Sequence, residues 1–522
     1  MIQRIDGFER KLNYIIQNPV LSLSTLASIA LFIRLYNFPF NVPLTLDAAM
    51  YFWYAIDLTI LGHFSTDYNF PNNGWPTFLS IFFYLFRSDN FLDYMNLQRV
   101  LTVIISVLTI IPVYLLCTRF FDRTYSLVGA SLFVFEPRII QNSLFGITEP
   151  LSIILLTTSL FLFLSNNYKS IYFSFGIAAL FTLVRYEGIL LVLPFTIMFF
   201  VRFKNYKKNV LRYLLALSIF LLVLLPMTYL RIETTGKDGV VSHVSAAPEY
   251  YQHIAESGDQ GTWNFLNLLL RGLVNLAKYL AWIIIPFFVF FLPYGIFRIF
   301  KSRDQKEITI IITAITFLIP AFYGYSRDLQ ETRYLYALFP IFAIFSGYTV
   351  TKLTDRFTRK TITSMLLIGG ILFASLMFHN LKEIDYSYEK ELFGIAQYLV
   401  ANTKGVNDIS DISKYYSSAG LINKNFPILR SESIGYEPKI IPENEFTLVE
   451  DYIKSGKEND LTHLITDGKN DVEFFNDVFV NEKNYPYLIK QFDSSDFGFK
   501  YHVKIFKINY EVYNSIEMSS KT

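Results

Sequence analysis

Nothing constrains this chain more than the repeated return of apolar runs nearly free of charge, at about 20–36, 97–117, 125–141, 151–164, 171–184, 189–201, 213–230, 275–297, 308–323, 334–348 and 363–378. In hydrocarbon every backbone N–H and C=O must be satisfied within the segment, so runs of this kind become helices packed in a bilayer. Several fall short of the ~20 residues a perpendicular crossing needs, which predicts helices that lean on neighbours or on polar vestibules. Composition agrees, because 52% of the 522 residues are hydrophobic and 18% aromatic, with a mean hydropathy of +0.34. That excludes an ordinary soluble domain. The polar start followed by the run 20–36 resembles a signal peptide, but no small-residue cleavage site follows it. The chain reads as an α-helical multi-pass membrane protein of about eleven transmembrane helices.

Lys and Arg fix its orientation, since positive loops stay cytoplasmic. One alternate set of loops carries Arg4, Arg10, Lys11, Arg119, Arg123, Lys169, Arg202, Lys204, Lys207, Lys208, Arg212, Arg298, Lys301, Arg303, Lys306, Lys352, Arg356, Arg359 and Lys360. The other set holds only Arg87, Arg185, Arg231, Lys237, Arg271, Arg327 and Arg333 before the tail. The expectation is a cell-membrane protein with a cytoplasmic N-terminus. The charge balance divides the same way, with 16 Lys and Arg against 23 Asp and Glu from Leu381 onward, and 30 against 21 before it. An acidic tail of net −7 suits an exterior domain, and no basic, aromatic-interleaved patch points to nucleic acid. The expected division is a transmembrane domain over 1–380, with exterior loops at 37–96 and 231–274, and an exterior α/β domain over 381–522. This parity requires the apolar patch 76–86 to lie in the interface as a short helix.

The exterior loops hold the candidate chemistry. Pro43-Leu44-Thr45-Leu46-Asp47-Ala48-Ala49-Met50-Tyr51 follows the first run and places a carboxylate just beyond the membrane. Asp47 is read as a catalytic base; the alternative is a cap for a helix starting near Ala48. Asp57, Asp67, Asp89 and Asp93 in the same loop read as solvated. Phe145-Gly146-Ile147-Thr148-Glu149-Pro150 puts Glu149 at a helix start, where it also complements the helix dipole. In Leu183-Val184-Arg185-Tyr186-Glu187-Gly188 a cation and an anion stand two apart in apolar surroundings, which is costly unless they are paired or used. Arg333 heads a helix where the dipole does not favour it, so it needs an anionic partner: a phosphate, Glu331 or Glu149. The second long loop offers Lys237, His243, Tyr250-Tyr251 and His253, and an apolar stretch 263–270 suited to the membrane surface. His63, His243, His253, His379, His463 and His502 are scattered without a helical pair, and Cys117 is a lone thiol in an apolar run, so neither builds a metal site.

The order and common sidedness of these motifs resemble the GT-C superfamily of polyprenyl-phosphate-sugar-dependent glycosyltransferases, which includes protein O-mannosyltransferases and lipid A aminoarabinose transferases. The likeness covers about residues 20–380. Asp47-Ala48-Ala49-Met50-Tyr51 is similar to the family's Asp-Glu-Ala-Tyr-Tyr-like motif at Asp47, Ala49 and Tyr51. Trp75-Pro76-Thr77 through Gln98-Arg99-Val100 resembles its proline-led interfacial helix and Arg-Leu-containing second span. Arg185 resembles its basic residue after the fifth span, and Arg333-Tyr334-Leu335 running to Pro340 resembles its Arg-Tyr-Leu-x-x-x-x-Pro pattern. Ala48 departs from the acidic pair, and Gly74-Trp75 departs from the Lys or Pro before the interfacial helix. The Trp-Trp-Asp signature of oligosaccharyltransferases is absent.

The resemblance implies an inverting glycosyltransferase of the hexosyltransferase type, moving a sugar from a polyprenyl (dolichyl-type) phosphate to a hydroxyl of a glycan, protein or lipid acceptor at the exterior face. Asp47 would take the hydroxyl proton, help worth ~10²- to 10⁴-fold. Arg185 and Arg333, with Lys237 third, would stabilise the leaving phosphate. Glu187 neutralises Arg185, Glu149 supports the site or binds acceptor, and Tyr51 belongs to the substrate-binding set. No cofactor is required, and a divalent metal stays open with no residue cluster behind it. A transporter or flippase of a lipid-linked or polar substrate is the alternative; it would show internal repeats and broken helices with charges near mid-membrane, whereas no convincing repeat is seen and Asp47, Glu149, Arg185 and Arg333 cluster at the outer ends. In the tail, 389–401 and 446–454 read as helices and 461–466 and 501–508 as strands.

Overall fold

The computed structural model describes residues 14, 16–64, 72–88, 90–204, 208–245, 248, 261–382, 384–402, 446–457, 461–468 and 473–520. Asp67, Asp89, Lys207, Tyr250, Tyr251, His253 and the basic residues of the first thirteen lie outside them. The protein is mostly helical and multi-pass. Among the described residues six helices are long and apolar enough to cross a membrane: Pro19–Tyr36, Phe91–Cys117, Asn209–Thr235, Gln305–Ser326, Thr332–Thr354 and Lys360–Leu381. The Asn264–Ile283 and Phe288–Phe300 helices add a seventh if taken as one crossing. Glu149–Phe163 and Tyr168–Val184 are apolar but shorter. The apolar patch 76–86 forms a 12-residue helix, Gly74–Leu85.

Two predicted runs are broken. The run 125–141 divides into Arg123–Val134 and Pro137–Ser143, and 275–297 becomes a pair of helices bent by 116°. Pro286, at the second break, cannot donate to a helix ladder. Arg138 serves both breaks. Its Nη1 donates to Glu136 Oε1 at 3.1 Å and to the Ile285 carbonyl, and its Nη2 to the Trp282 carbonyl at 2.8 Å, satisfying carbonyls that the bend strips of helical partners. The second exterior loop is also shorter than predicted, because one helix runs on to Thr235 and the next begins at Gly261.

The described chain divides into two compact units, the first comprising Met1–Phe38, Gly62–Phe82 and Gln98–Glu383. Its core is aromatic and aliphatic, and it encloses the fully buried guanidinium of Arg34. That group donates to Ser143 Oγ, Ser106 Oγ and the Ala30 and Val134 carbonyls at 3.1–3.2 Å, so one charge ties four helices together.

The second unit comprises Pro39–Leu61, Phe83–Leu97 and Ile384–Thr522. Its centre is an antiparallel sheet in the order β1 (His463–Thr466), β3 (Lys504–Ile508), β2 (Leu488–Asp493). Alternate residues serve opposite faces. Leu464 and Phe506 join Tyr452, Phe475 and Tyr513 in one core, whereas Ile465 and Ile505 join Leu392, Phe393 and Ile395 in another, against which Leu92 packs. Strand β2 was not predicted. Its run Leu488-Ile489-Lys490-Gln491-Phe492-Asp493 has three exposed residues in a row and a bulge between Lys490 and Phe492, which destroys the alternation a strand reading relies on. Tyr415-Tyr416 lies outside the described residues.

Candidate active site

Glu149 is positioned by its neighbours before it does anything itself. Gly146 takes φ +75° in the turn after the Pro137–Ser143 helix, a conformation that glycine adopts without steric cost. Side chains of the Phe91–Leu108 helix hold that turn: Thr102 Oγ1 donates to the Ser143 carbonyl at 2.8 Å, Arg99 Nε to the Leu144 carbonyl at 3.1 Å and Gln98 Nε2 to the Gly146 carbonyl at 2.6 Å. The first two are carbonyls at the end of the Pro137–Ser143 helix, which have no partner within it. The chain then enters the Glu149–Phe163 helix with Glu149 first and Pro150 behind it.

Arg185 terminates the Tyr168–Val184 helix in extended backbone (φ −143°, ψ 119°), and a short 3-10 turn, Tyr186–Leu191, follows. Its Nη1 donates to Glu149 Oε1 at 2.7 Å and to Thr148 Oγ1 at 3.4 Å, and its Nη2 to Glu187 Oε1 at 2.8 Å. All three side chains are largely buried, with exposures of 16% for Arg185, 3% for Glu149 and 10% for Glu187. The fork of a guanidinium suits two carboxylates at once, which a point-charge ammonium does not. Oε2 of each glutamate has no hydrogen-bond partner among the described residues. Two close approaches fix the turn from outside. A methyl on Gly188 would lie 2.6 Å from the Thr182 nitrogen, and one on Gly74 2.7 Å from the Leu183 carbonyl carbon, so backbone packs on backbone there. Asn72 Oδ1 accepts from the Tyr186 N–H at 3.3 Å.

Arg333 arrives from the 3-10 turn Thr332–Leu338. Tyr325 OH donates to the Glu331 carbonyl at 2.9 Å, Tyr279 stacks on Tyr325 at 4.8 Å, and Asn275 Nδ2 donates to the Tyr325 carbonyl at 3.1 Å. Arg333 Nε lies 3.5 Å from Glu331 Oε2. Glu149, Arg185, Glu187 and Arg333 line one small cleft of about 30 Å³, walled by carbon from Phe181, Phe317 and Pro320. Four residues singled out from three separate stretches thus meet in one place.

The other predicted residues are carried by other elements. Lys237 is exposed just after Gly236 ends the Asn209–Thr235 helix, and it does not line the cleft. Asp47 and Tyr51, both half-buried, belong to the second unit. The helix carrying them is Leu46–Leu61, so Asp47 sits inside its first turn and not at the cap before Ala48. Leu46 before it has φ +50°, a strained conformation for a branched side chain. Asp57 corrects the solvated reading: it is fully buried on the same helix. Ser88 Oγ donates to Asp93 Oδ2 at 2.5 Å. Sequence reasoning passed over Tyr186 and Arg231. The Tyr186 phenol is pushed well above its usual range by burial and then by the Glu187 carboxylate, and its ring stands 5.7 Å from that of His243. Burial, and then the Arg231 guanidinium, lower the His243 imidazole. Arg231 is fully buried, although it follows the run 213–230 like any flanking charge. Among the described residues no three His, Cys, Asp or Glu side chains gather that could hold a metal ion.

No protein-family model and no curated protein matches the chain. Solved structures do. An apo oligosaccharyltransferase from Archaeoglobus fulgidus superposes with a TM-score of 0.53 at 13% identity, over 86% of this chain and 69% of that one. The archaeal oligosaccharyltransferase AglB from Archaeoglobus fulgidus, in complex with an inhibitory peptide and a dolichol-phosphate, gives 0.52 at 15%, over the same shares. ArnT from Cupriavidus metallidurans bound to undecaprenyl phosphate gives 0.55 at 11%, over 94% of this chain and 97% of that one. The chain has a GT-C-like fold. At these identities the likeness is one of architecture, and the residue roles rest on the site itself.

Proposed function

We propose that the protein is a membrane glycosyltransferase that moves a sugar from a polyprenyl (dolichyl-type) phosphate to an acceptor hydroxyl, with inversion, at the exterior face. The observation that carries it is the Glu149–Arg185–Glu187 network with Arg333 in one cleft of a GT-C-like fold. The acceptor O–H gives its proton to the Asp47 carboxylate, and the oxygen bonds to the anomeric carbon. The bond from that carbon to the phosphate oxygen breaks, and the lipid phosphate leaves with both electrons. Charge grows on the phosphate as the bond breaks, so a fixed guanidinium stabilises the transition state more than the ground state. Arg333 has this role, backed by Arg185 and, from the loop, Lys237. Glu149 and Glu187 hold Arg185 in place, and their Oε2 atoms accept from sugar hydroxyls. Tyr51, one turn beyond Asp47, contacts substrate.

Transfer from a panel of synthetic polyprenyl-phosphate sugars by purified protein in lipid tests this, comparing wild type with Asp47→Asn and Arg333→Ala. Asparagine keeps the shape of the first helical turn and removes the base, so Asp47→Asn is expected to fold and lose ~10²- to 10⁴-fold in turnover. Wild-type turnover in Asp47→Asn, or no donor bound or turned over by wild type, overturns the assignment.

A further inference from the structure

The Tyr168–Val184 helix packs against Asn209–Thr235, of which only 17% is buried within the protein over its apolar stretch. They leave one gap on the outside of the bundle. Between them runs a groove of about 500 Å³, lined by Tyr172, Gly176, Ile177, Leu180, Ile219 and Val223 with almost no polar surface. Gly176 forms part of its wall, where a methyl would meet Ile219 Cγ2 in ordinary contact at 3.5 Å and a longer side chain would have to enter the groove. One end is charged. Lys169 belongs to the lining, is exposed, and forms no ion pair among the described residues; Arg212 stands over the Tyr168 ring at 4.0 Å beside it.

We propose that this groove is a binding site for one anionic glycerophospholipid, an acyl chain lying between the two helices and the headgroup phosphate on Lys169 and Arg212. The dimensions fit. Lys169 to Leu180 spans about 16 Å at helical rise, and one leaflet of a hydrocarbon core is about 15 Å deep. The charge fits as well, since basic pockets between helices at a membrane surface recognise anionic headgroups. The polyprenyl-phosphate donor is a poor occupant, because Lys169 and Arg185 cap opposite ends of one helix, about 25 Å apart. The headgroup end therefore lies in the leaflet away from the Glu149–Arg185–Glu187 cleft. The proposal needs only the membrane-spanning fold and stands apart from the transferase reading.

Native mass spectrometry of the full chain from mild detergent, and thermal unfolding in nanodiscs of phosphatidylglycerol against phosphatidylcholine, test it. Wild type is expected to retain one anionic phospholipid and to unfold several degrees higher in phosphatidylglycerol. Gly176→Leu fills the groove and should abolish retention. Lys169→Gln, far from any packing constraint, should weaken the preference for phosphatidylglycerol on the order of fivefold. The proposal is overturned if Lys169→Gln leaves retention and preference unchanged, if wild type does not distinguish the two lipids, or if the retained lipid is a polyprenyl phosphate. Should Gly176→Leu fail to fold, Lys169→Gln alone decides.

Discussion

Arg185 and Glu149 lie 36 residues apart in sequence and share a buried hydrogen bond of 2.7 Å between Nη1 and Oε1. With Glu187 on the other nitrogen, one guanidinium holds two carboxylates that would otherwise be buried and repelling. Removing the centre is therefore worse than removing all three. Arg185→Ala is expected to destabilise the protein by roughly 3–5 kcal/mol, the usual cost of stranding buried charge. The triple replacement of Glu149, Arg185 and Glu187 by Gln should recover most of it. Thermal unfolding of the two variants in lipid settles the order; transfer should be down at least ~10²-fold in both. Arg185→Lys should rescue charge but not activity, because an ammonium cannot span both carboxylates.

Gly74 touches backbone, and backbone cannot step aside. Gly74→Ala drives a methyl into the Leu183 carbonyl carbon and the Val184 nitrogen, just ahead of Arg185. The expected cost is ~1–3 kcal/mol, as for other overpacked sites. Because the turn moves, donor binding should weaken more than overall stability suggests. Comparing donor affinity with the unfolding midpoint tests this, and equal, small effects on both would contradict it.

Phe91 stands edge-on to Trp53 at 5.0 Å, and the adjacent Leu92 packs on the core beneath the sheet. The Leu46–Leu61 helix that carries Asp47 is thereby tied to the C-terminal residues. Leu92→Ala should cost on the order of 1 kcal/mol. It should also speed hydrogen exchange in Leu46–Leu61, whereas an exposed-site control such as Lys483→Ala should not. Unchanged exchange in that helix would remove the link.

Acid should weaken the C-terminal residues first. The Glu482 carboxyl is held below its ordinary value of 4.5 mainly by hydrogen bonding to Lys490. Burial works against ionisation of Asp493, but hydrogen bonds from Ser495 and His502 outweigh it and hold its carboxyl below 3.8. Depressed carboxyls contribute stability that is complete above their unfolded values and is lost as pH falls through the folded ones. Unfolding followed by Tyr fluorescence should show the loss beginning below about pH 4.5 and continuing below 3.8. Glu482→Gln together with Asp493→Asn should flatten that slope.

Apolar run length and the placement of Lys and Arg were enough to read a multi-pass helical protein from the sequence, because a bilayer punishes any other backbone arrangement. A carboxylate followed by proline likewise marked the helix start at Glu149, since those preferences are local. Contacts across the bundle were not legible. The pairing of Arg185 with Glu187 two residues on was legible, but that Arg185 also reaches Glu149, that Asp57 is buried, and that Arg138 serves two helix breaks all depend on which helices meet. Hydropathy does not encode this, because a helix apolar on every side has no face that names its neighbour. The strand at Leu488–Asp493 was hidden for a related reason: its bulge and exposed residues make sense only beside β3. Short-range chemistry is written in the chain itself, whereas burial and pairing are decided by residues far along it that packing brings into contact.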